Sequence, residues 1–180
     1  MDLNGKTAIV TGASRGIGTY IAKTLARHGA NIIAVARSEA GLQETKVDIE
    51  NSGGSCQIIP FDLSNIDGLE GLVADIWSNH GPIQFLVNNA GIEHYQHYDR
   101  IPKSEILSIL NINLHCPLEL SRAIMPRMLD NSEGHIINIS SLAGKKGVAY
   151  NSIYSASKAG LLMWADGMRQ EYNDSPIDIS

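Results

Sequence analysis

The chain reads as an α/β protein with a doubly wound parallel sheet, in one domain spanning residues 1–180. Three observations predict it. Short apolar runs alternate with helical patterns with little slack between them. A glycine-rich turn joins the first run to the first helix. Polar or glycine residues stand at the carboxyl ends of the first, third, fourth and fifth runs, where an open parallel sheet keeps its ligands.

Residues 6–11, Lys-Thr-Ala-Ile-Val-Thr, form the first strand and enter Gly12-Ala13-Ser14-Arg15-Gly16-Ile17-Gly18. A helix follows through Ile21, Ala22, Leu25 and Ala26 and stops at Gly29. The second strand is 31–36, followed by a helix over 39–51 that ends at Ser52-Gly53-Gly54. The third strand is 57–61, and a helix over 66–80 stops at Gly81-Pro82. The fourth strand is 83–87, and one long helix is expected over 104–129. Gly134 separates it from a fifth strand at 135–140. The last helix runs to about Tyr172, and Ile177-Asp178-Ile179 begins a sixth strand. The expected strand order is 3-2-1-4-5-6.

At 180 residues, with 43% hydrophobic and 18% charged residues, the chain can bury a sound core. A net charge of -5 without a basic stripe argues against nucleic acid. Lys145-Lys146 is the only basic pair: a solvated loop edge, or a guide for a phosphorylated ligand. No apolar run approaches the ~18 residues of a membrane span, and the first strand begins too early for a signal peptide. Cys56 and Cys116 lack a paired spacing and read as reduced, buried thiols of a cytoplasmic protein.

The chemistry concentrates in Tyr154-Ser155-Ala156-Ser157-Lys158, with Ser141 thirteen residues before Tyr154. Four residues exceed one helical turn only slightly, so Tyr154 and Lys158 share a helix face. An ammonium beside a phenol favours the phenolate and draws a group of pKa ~10 toward neutrality, where it serves as a general acid/base. A hydroxyl at Ser141 can polarise a substrate oxygen beside that phenol. Alone, a Tyr-x3-Lys pair is common on helices. The glycine turn changes its weight. Gly12 permits the tight turn, and Gly16 and Gly18 allow close approach of backbone to pyrophosphate and strand. The helix N-terminus supplies free N–H groups for phosphates.

Thr11-Gly12-x3-Gly16-Ile17-Gly18, Asn88-Asn89-Ala90-Gly91, Asn113, Ser141 and Tyr154-x3-Lys158 occur in an order that resembles the short-chain dehydrogenase/reductase family. The resemblance runs the whole length of the chain. It implies a Rossmann-type, NAD(P)-dependent oxidoreductase moving a hydride between the nicotinamide and a carbonyl or secondary alcohol. Asn113, Ser141, Tyr154 and Lys158 would be the catalytic set. In the family, the Asn matching Asn113 loosens its helix and holds a water that links the lysine to solvent; Asn113 is chosen over Asn111 for its Asn-Leu context. Gly12, Ser14, Arg15, Gly16, Ile17, Gly18, Arg37, Asp62, Leu63, Asn89, Ala90, Gly91, Tyr154 and Lys158 would touch cofactor. Asp62 can equally cap the next turn. Asn88 is expected to tie strands together instead of touching ligand.

NADP(H) is expected over NAD(H). An NAD-selective site holds an acid at the end of strand two; here stand Ala36-Arg37-Ser38, with Arg15 on the glycine loop beside them. Two guanidiniums can clamp a 2′-phosphate. The histidines of Glu93-His94-Tyr95-Gln96-His97-Tyr98-Asp99 lack a further ligand cluster, so no metal is expected; the segment shapes the substrate entrance or is a solvated loop. Leu161, Trp164, Ala165 and Met168 form a helical stripe, widened by Leu162 and Met163, and the family's helix pairing implies a homodimer or homotetramer.

The alternative reading is a non-catalytic NADP(H)-binding sensor or scaffold. A sugar epimerase or dehydratase is disfavoured, because those relatives carry a G-x-x-G-x-x-G loop. By the family's pattern Ser180 falls inside the first of two further strands, so the chain is expected to be C-terminally incomplete, with its substrate-selecting segment missing and turnover very low.

Overall fold

The computed structural model describes residues 3–180; residues 1 and 2 of the expected domain lie outside the described residues. Six parallel strands form one sheet in the order β3-β2-β1-β4-β5-β6, as the alternation predicts. In chain order the elements are β1 (Thr7–Thr11), α1 (Gly16–Arg27), β2 (Asn31–Ala36), α2 (Glu39–Asn51), β3 (Ser55–Pro60), α3 (Leu69–His80) and β4 (Phe85–Asn88). Then come α4 (Lys103–Leu110), α5 (Cys116–Asp130), β5 (Gly134–Asn138), α6 (Ser152–Glu171) and β6 (Ile177–Ile179).

Every residue of β1 is buried, because helices cover both faces of the sheet. Alternate side chains go to opposite layers. Ile9, Ile33, Leu86 and Ile136 point into one core with Leu72, Val73 and Ile76 of α3, Leu120 and Ile124 of α5, and Ala165 of α6. Ala8, Val10, Ile32 and Ala34 point into the other, with Ala22 and Ala26 of α1 and Leu42 and Ile49 of α2. The second layer is built from alanines, so α1 sits close to the sheet and its N-terminus close to the end of β1. β6 pairs with β5 through Gly134–Ile177, His135–Asp178 and Ile136–Ile179 and forms the edge.

Several boundaries differ from the sequence expectation: β3 runs over Ser55–Pro60 in place of 57–61, and Gly134 is the first residue of β5 and not a separator before it. The turn Ile66–Gly68 is 3₁₀ and the α-helix starts only at Leu69. Ladder pairing of β4 begins at Phe85, although the Gln84 N–H already donates to the Thr7 carbonyl. β5 leaves the ladder after Asn138, opposite the last residue of β4; the Ile139 N–H still donates to the Asn88 carbonyl, while the Ile139 carbonyl accepts from the Lys158 ammonium. The largest correction concerns the expected long helix over 104–129. It is interrupted by a π-turn at Asn111–His115, where the Cys116 N–H reaches back to the Asn111 carbonyl. Pro117, in the first turn of α5, lacks the N–H that would serve the Asn113 carbonyl in α register or the Ile112 carbonyl in π register. The Asn113 side chain, bonded to both the N–H and the carbonyl of Ile92, pins the same turn.

Candidate active site

At the carboxyl ends of the strands lies a cavity of about 910 Å³. It runs from the glycine loop, past Arg37, Asp62 and Leu63, to Asn89, Ala90 and Gly91, and ends beside Tyr154 and Lys158. Ser14, Arg15, Gly16, Ile17 and Gly18 form its floor at the start of α1.

The loop's geometry depends on missing side chains. A Cβ on Gly18 would lie 2.2 Å from the Gly12 carbonyl oxygen, and one on Gly12 would lie 2.9 Å from Ala90 Cα. Gly16 has φ +58° and open space where a Cβ would point. Arg15, the N-cap of α1, makes no side-chain capping bond, and no acid occupies the first turn. The first N–H groups of α1 thus face the cavity unserved by side chains, beside a cradle that a Cβ would fill. These residues fit the pyrophosphate of a dinucleotide.

Thr11 locks this loop to β4. Its Oγ1 donates to the Val87 carbonyl (3.1 Å) and accepts the N–H groups of Asn89 (3.0 Å) and Ala90 (3.1 Å). Asn89 returns the bond, Nδ2 donating to the Thr11 carbonyl at 2.9 Å. Asn89 therefore braces the glycine turn as well as lining the cavity. Thr11 opens the glycine motif in the sequence, but its bonds to β4 lie beyond what local spacing conveys. Asn88 ties strands, as expected: its Nδ2 donates to Asn138 Oδ1 (3.0 Å) and Ser121 Oγ (3.2 Å).

Arg15 and Arg37 are both exposed at the mouth of the cavity. Asp62 Oδ1 accepts the backbone N–H and the hydroxyl of Ser64, which holds its carboxyl below the usual carboxylate value; the nearby Arg37 charge adds to this. Asp62 thus caps the following turn and lines the cavity at once. Ser38 caps α2, its Oγ accepting the Gly41 N–H.

Lys158 is 4% exposed, and its Nζ donates to the Ile139 carbonyl at 2.7 Å. Burial holds its pKa below the ordinary lysine value. The Nζ lies 5.8 Å from the centre of the Tyr154 ring, one turn back on α6. Asn113, fully buried, sits in the π-turn: Nδ2 donates to the Ile92 carbonyl (2.8 Å) and Ser157 Oγ (3.1 Å), and Oδ1 accepts the Ile92 N–H (2.8 Å). Asn113 Oδ1 and Lys158 Nζ approach the same point above Gly91, within 3.5 and 3.6 Å of where its Cβ would be.

The two serines divide their work. Ser140 lines the cavity, but its hydroxyl donates its one proton to the Lys158 carbonyl (3.1 Å). Ser141, expected as the catalytic serine, is half-buried and is not among the residues that line the cavity; its Oγ accepts the Ala143 N–H at 3.1 Å. That bond fixes the Ser141 oxygen and leaves its proton available to an acceptor.

The segment after Gly91 is ordered by polar contacts. His94 Nε2 meets Gln96 Oε1 at 2.7 Å, with Glu105 Oε2 3.7 Å from Nδ1; the His97 ring instead stands edge-on to Tyr150, centroids 4.8 Å apart. The two histidines do not converge. Of the segment Glu93–Asp99, read from sequence as a substrate entrance or a solvated loop, Glu93 is the residue that lines the cavity.

A crossover-wound parallel sheet, a glycine cradle at the start of α1 and a Tyr/Lys pair at the far end of one cavity define a nucleotide-binding oxidoreductase architecture. The chain belongs to the short-chain dehydrogenase family, whose model matches residues 6–180. It is 49% identical over 99% of its length to the ketoacyl reductase HetN of Nostoc sp., of which it spans 62%. It is 36% identical over its whole length to the 3-oxoacyl-(acyl-carrier-protein) reductase FabG of Vibrio cholerae, spanning 72% of that protein. A crystal structure of a metagenomic short-chain oxidoreductase in complex with NADP superimposes with a TM-score of 0.96 at 36% identity, covering 100% of this chain and 82% of the other. No helix among the described residues is long and apolar enough to cross a membrane.

Proposed function

We propose that the protein is an NADP(H)-dependent reductase of ketones, of the 3-ketoacyl class, acting through Tyr154. The observation that carries this reading is a buried ammonium beside a phenol, Lys158 and Tyr154, at the end of a cavity whose other end fits a pyrophosphate. When bound, the dinucleotide supplies the hydride that the protein's own side chains cannot.

The N–H groups at the start of α1, with Gly12, Ser14, Gly16, Ile17 and Gly18, would hold the phosphates. Asp62 and Leu63 would flank the adenine, and Asn89, Ala90 and Gly91 the ribose side. Arg15 and Arg37 would clamp a 2′-phosphate, since no acid stands at the end of β2 to reject it. Tyr154 passes the proton to the substrate oxygen. Lys158 stabilises the phenolate left behind and binds the nicotinamide ribose. Ser141 donates to the same oxygen, while Ser140 has already given its proton to the Lys158 carbonyl. Asn113 fixes the π-turn against Ile92, and by the family's pattern it would hold a water leading from Lys158 to solvent.

The 3-ketoacyl assignment rests on likeness to HetN and FabG. Exposed Leu107 and Met163 on α4 and α6 support self-association as a dimer or tetramer. Buried thiols at Cys56 and Cys116 suit a reducing cytoplasm.

NADPH oxidation followed at 340 nm with ethyl acetoacetate or a 3-ketoacyl thioester tests the reading. We expect turnover in the native protein and none in Tyr154→Phe. NADPH binding with no reduction of any ketone would favour the sensor reading.

A further inference from the structure

The cavity lining carries an exposed carboxylate that the proposed proton-transfer machinery does not use. Glu93 lines the cavity two residues beyond Gly91, on a segment that is anchored to the start of α6 at three points. Asn151 Nδ2 donates to Glu93 Oε2 at 3.1 Å, the Gln96 N–H donates to the Tyr150 carbonyl at 2.9 Å, and the His97 ring stands edge-on to Tyr150.

The anchoring point is costly. Tyr150 is a non-glycine residue at φ +64°, in the left-handed region. Asn151 is 4% exposed, and its Oδ1 is buried without a hydrogen-bond partner among the described residues. Strain and an orphaned acceptor coincide three residues before Tyr154. Either alone is tolerated; together they mark a position held for a reason other than stability. The reason on hand is orientation of Glu93. With Nδ2 spent on the carboxylate, the amide cannot flip, because Oδ1 would then face a like-charged oxygen. Glu93 keeps Oε1 without a partner among the described residues, in the same cavity as Tyr154.

We propose that Glu93 is a specificity-determining residue that selects neutral, hydrogen-bond-donating β-keto substrates and rejects the corresponding keto acids, with Asn151 as its positioning residue. This rests on the ketone-reductase reading above and narrows its substrate class. A carboxylate fixed in the wall repels a substrate carboxylate and leaves a negative oxygen ready to accept an N–H or O–H. An amide or hydroxyl-bearing ketoacyl group meets that acceptor, and an ester is tolerated.

The test compares acetoacetamide with acetoacetate as substrates at fixed NADPH. In the native protein we expect kcat/KM for the amide to exceed that for the anion by at least about tenfold. Glu93→Gln keeps an oxygen for Asn151 and removes the charge. It should narrow the ratio to within about threefold, mainly by lowering KM for acetoacetate, with kcat for the amide little changed. Glu93→Lys should invert the preference. Asn151→Ala should narrow the ratio with Glu93 intact, an effect that loss of stability alone would not produce. An unchanged ratio in Glu93→Gln, with both substrates turned over, overturns the proposal while leaving the reductase reading standing. Absence of turnover with every ketone would fail that reading instead. Calorimetric titration of the same two compounds into NADPH-loaded protein then still reads the discrimination, and equal binding of both, or binding of neither, overturns the proposal.

Discussion

Lys158 Nζ lies 2.7 Å from the Ile139 carbonyl oxygen, joining the middle of α6 to the point where β5 leaves the sheet. A buried ammonium is costly, and one strong bond offsets only part of that cost. Its remaining N–H groups stand near Gly91 and the Tyr154 ring, the end of the cavity assigned to proton transfer.

This burial has a pH signature. The folded pKa of Lys158 is depressed by desolvation, so between it and the unfolded value of about 10.4 the unfolded chain binds more protons. The Lys158 contribution to stability is therefore greatest above the unfolded pKa and declines as pH falls through the folded one. Thermal melts of native protein and Lys158→Met, run from pH 7 to pH 10.5, should show the native protein gaining on the variant as pH rises. A constant or shrinking difference would mean that the ammonium is not desolvated. The variant should also lose NADPH affinity and turnover together, because both cofactor binding and proton transfer are proposed to depend on Lys158.

The catalytic division of labour predicts unequal effects from similar changes. Tyr154→Phe should lower kcat by at least about 10²-fold while NADPH affinity stays within about threefold. Ser141→Ala should lower kcat by about 10²-fold through loss of one donor to the developing oxyanion. Ser140→Ala should cost much less in rate, since that hydroxyl already donates to the Lys158 carbonyl. Steady-state rates with a saturating ketone distinguish the three. A larger loss from Ser140→Ala than from Ser141→Ala would reverse the serine assignment.

Sequence pattern carried the strand order and the glycine loop, because both depend on local spacing that tertiary context seldom overrides. The alternation of apolar runs and helices leaves few topologies, and Gly12 and Gly18 are demanded by close approaches of 2.9 and 2.2 Å. The π-turn at Asn111–His115 was hidden inside a continuous helical pattern, although Pro117 was there to announce it. What periodicity cannot convey is long-range side-chain bonding. The Thr11 hydroxyl reaching Asn89 and Ala90, or Asn151 reaching Glu93, joins residues 78, 79 and 58 positions apart. Neither pairing leaves a mark on local composition.

The glycines separate fold from function. Gly18→Ala should disrupt the loop, since the added Cβ meets the Gly12 carbonyl at 2.2 Å, and should lower both melting temperature and NADPH affinity. Gly71, on the exposed face of α3, has open space where a Cβ would point. Gly71→Ala should therefore raise stability by about 0.5–1 kcal/mol through helix propensity alone, with NADPH affinity unchanged. Denaturant titration and fluorescence binding would show both outcomes.

Cofactor preference offers the most direct check on the mouth of the cavity. Ala36-Arg37-Ser38 stands at the end of β2, where an NAD-selective site holds an acid, and Arg15 and Arg37 line the same cavity. Arg37→Ala and Arg15→Ala should each weaken NADPH binding with little effect on NADH, and the double variant should lose most of the preference. Ala36→Asp combined with Arg37→Ala should go further and favour NADH, because the new carboxylate accepts the ribose hydroxyl and repels the phosphate. The expected reversal is at least about tenfold in the ratio of dissociation constants, the scale of one lost charge-assisted contact. Raising salt from 50 to 300 mM should erode the native preference in parallel, since both guanidiniums are solvent-exposed. Equal dissociation constants for NADPH and NADH in the native protein would refute the clamp.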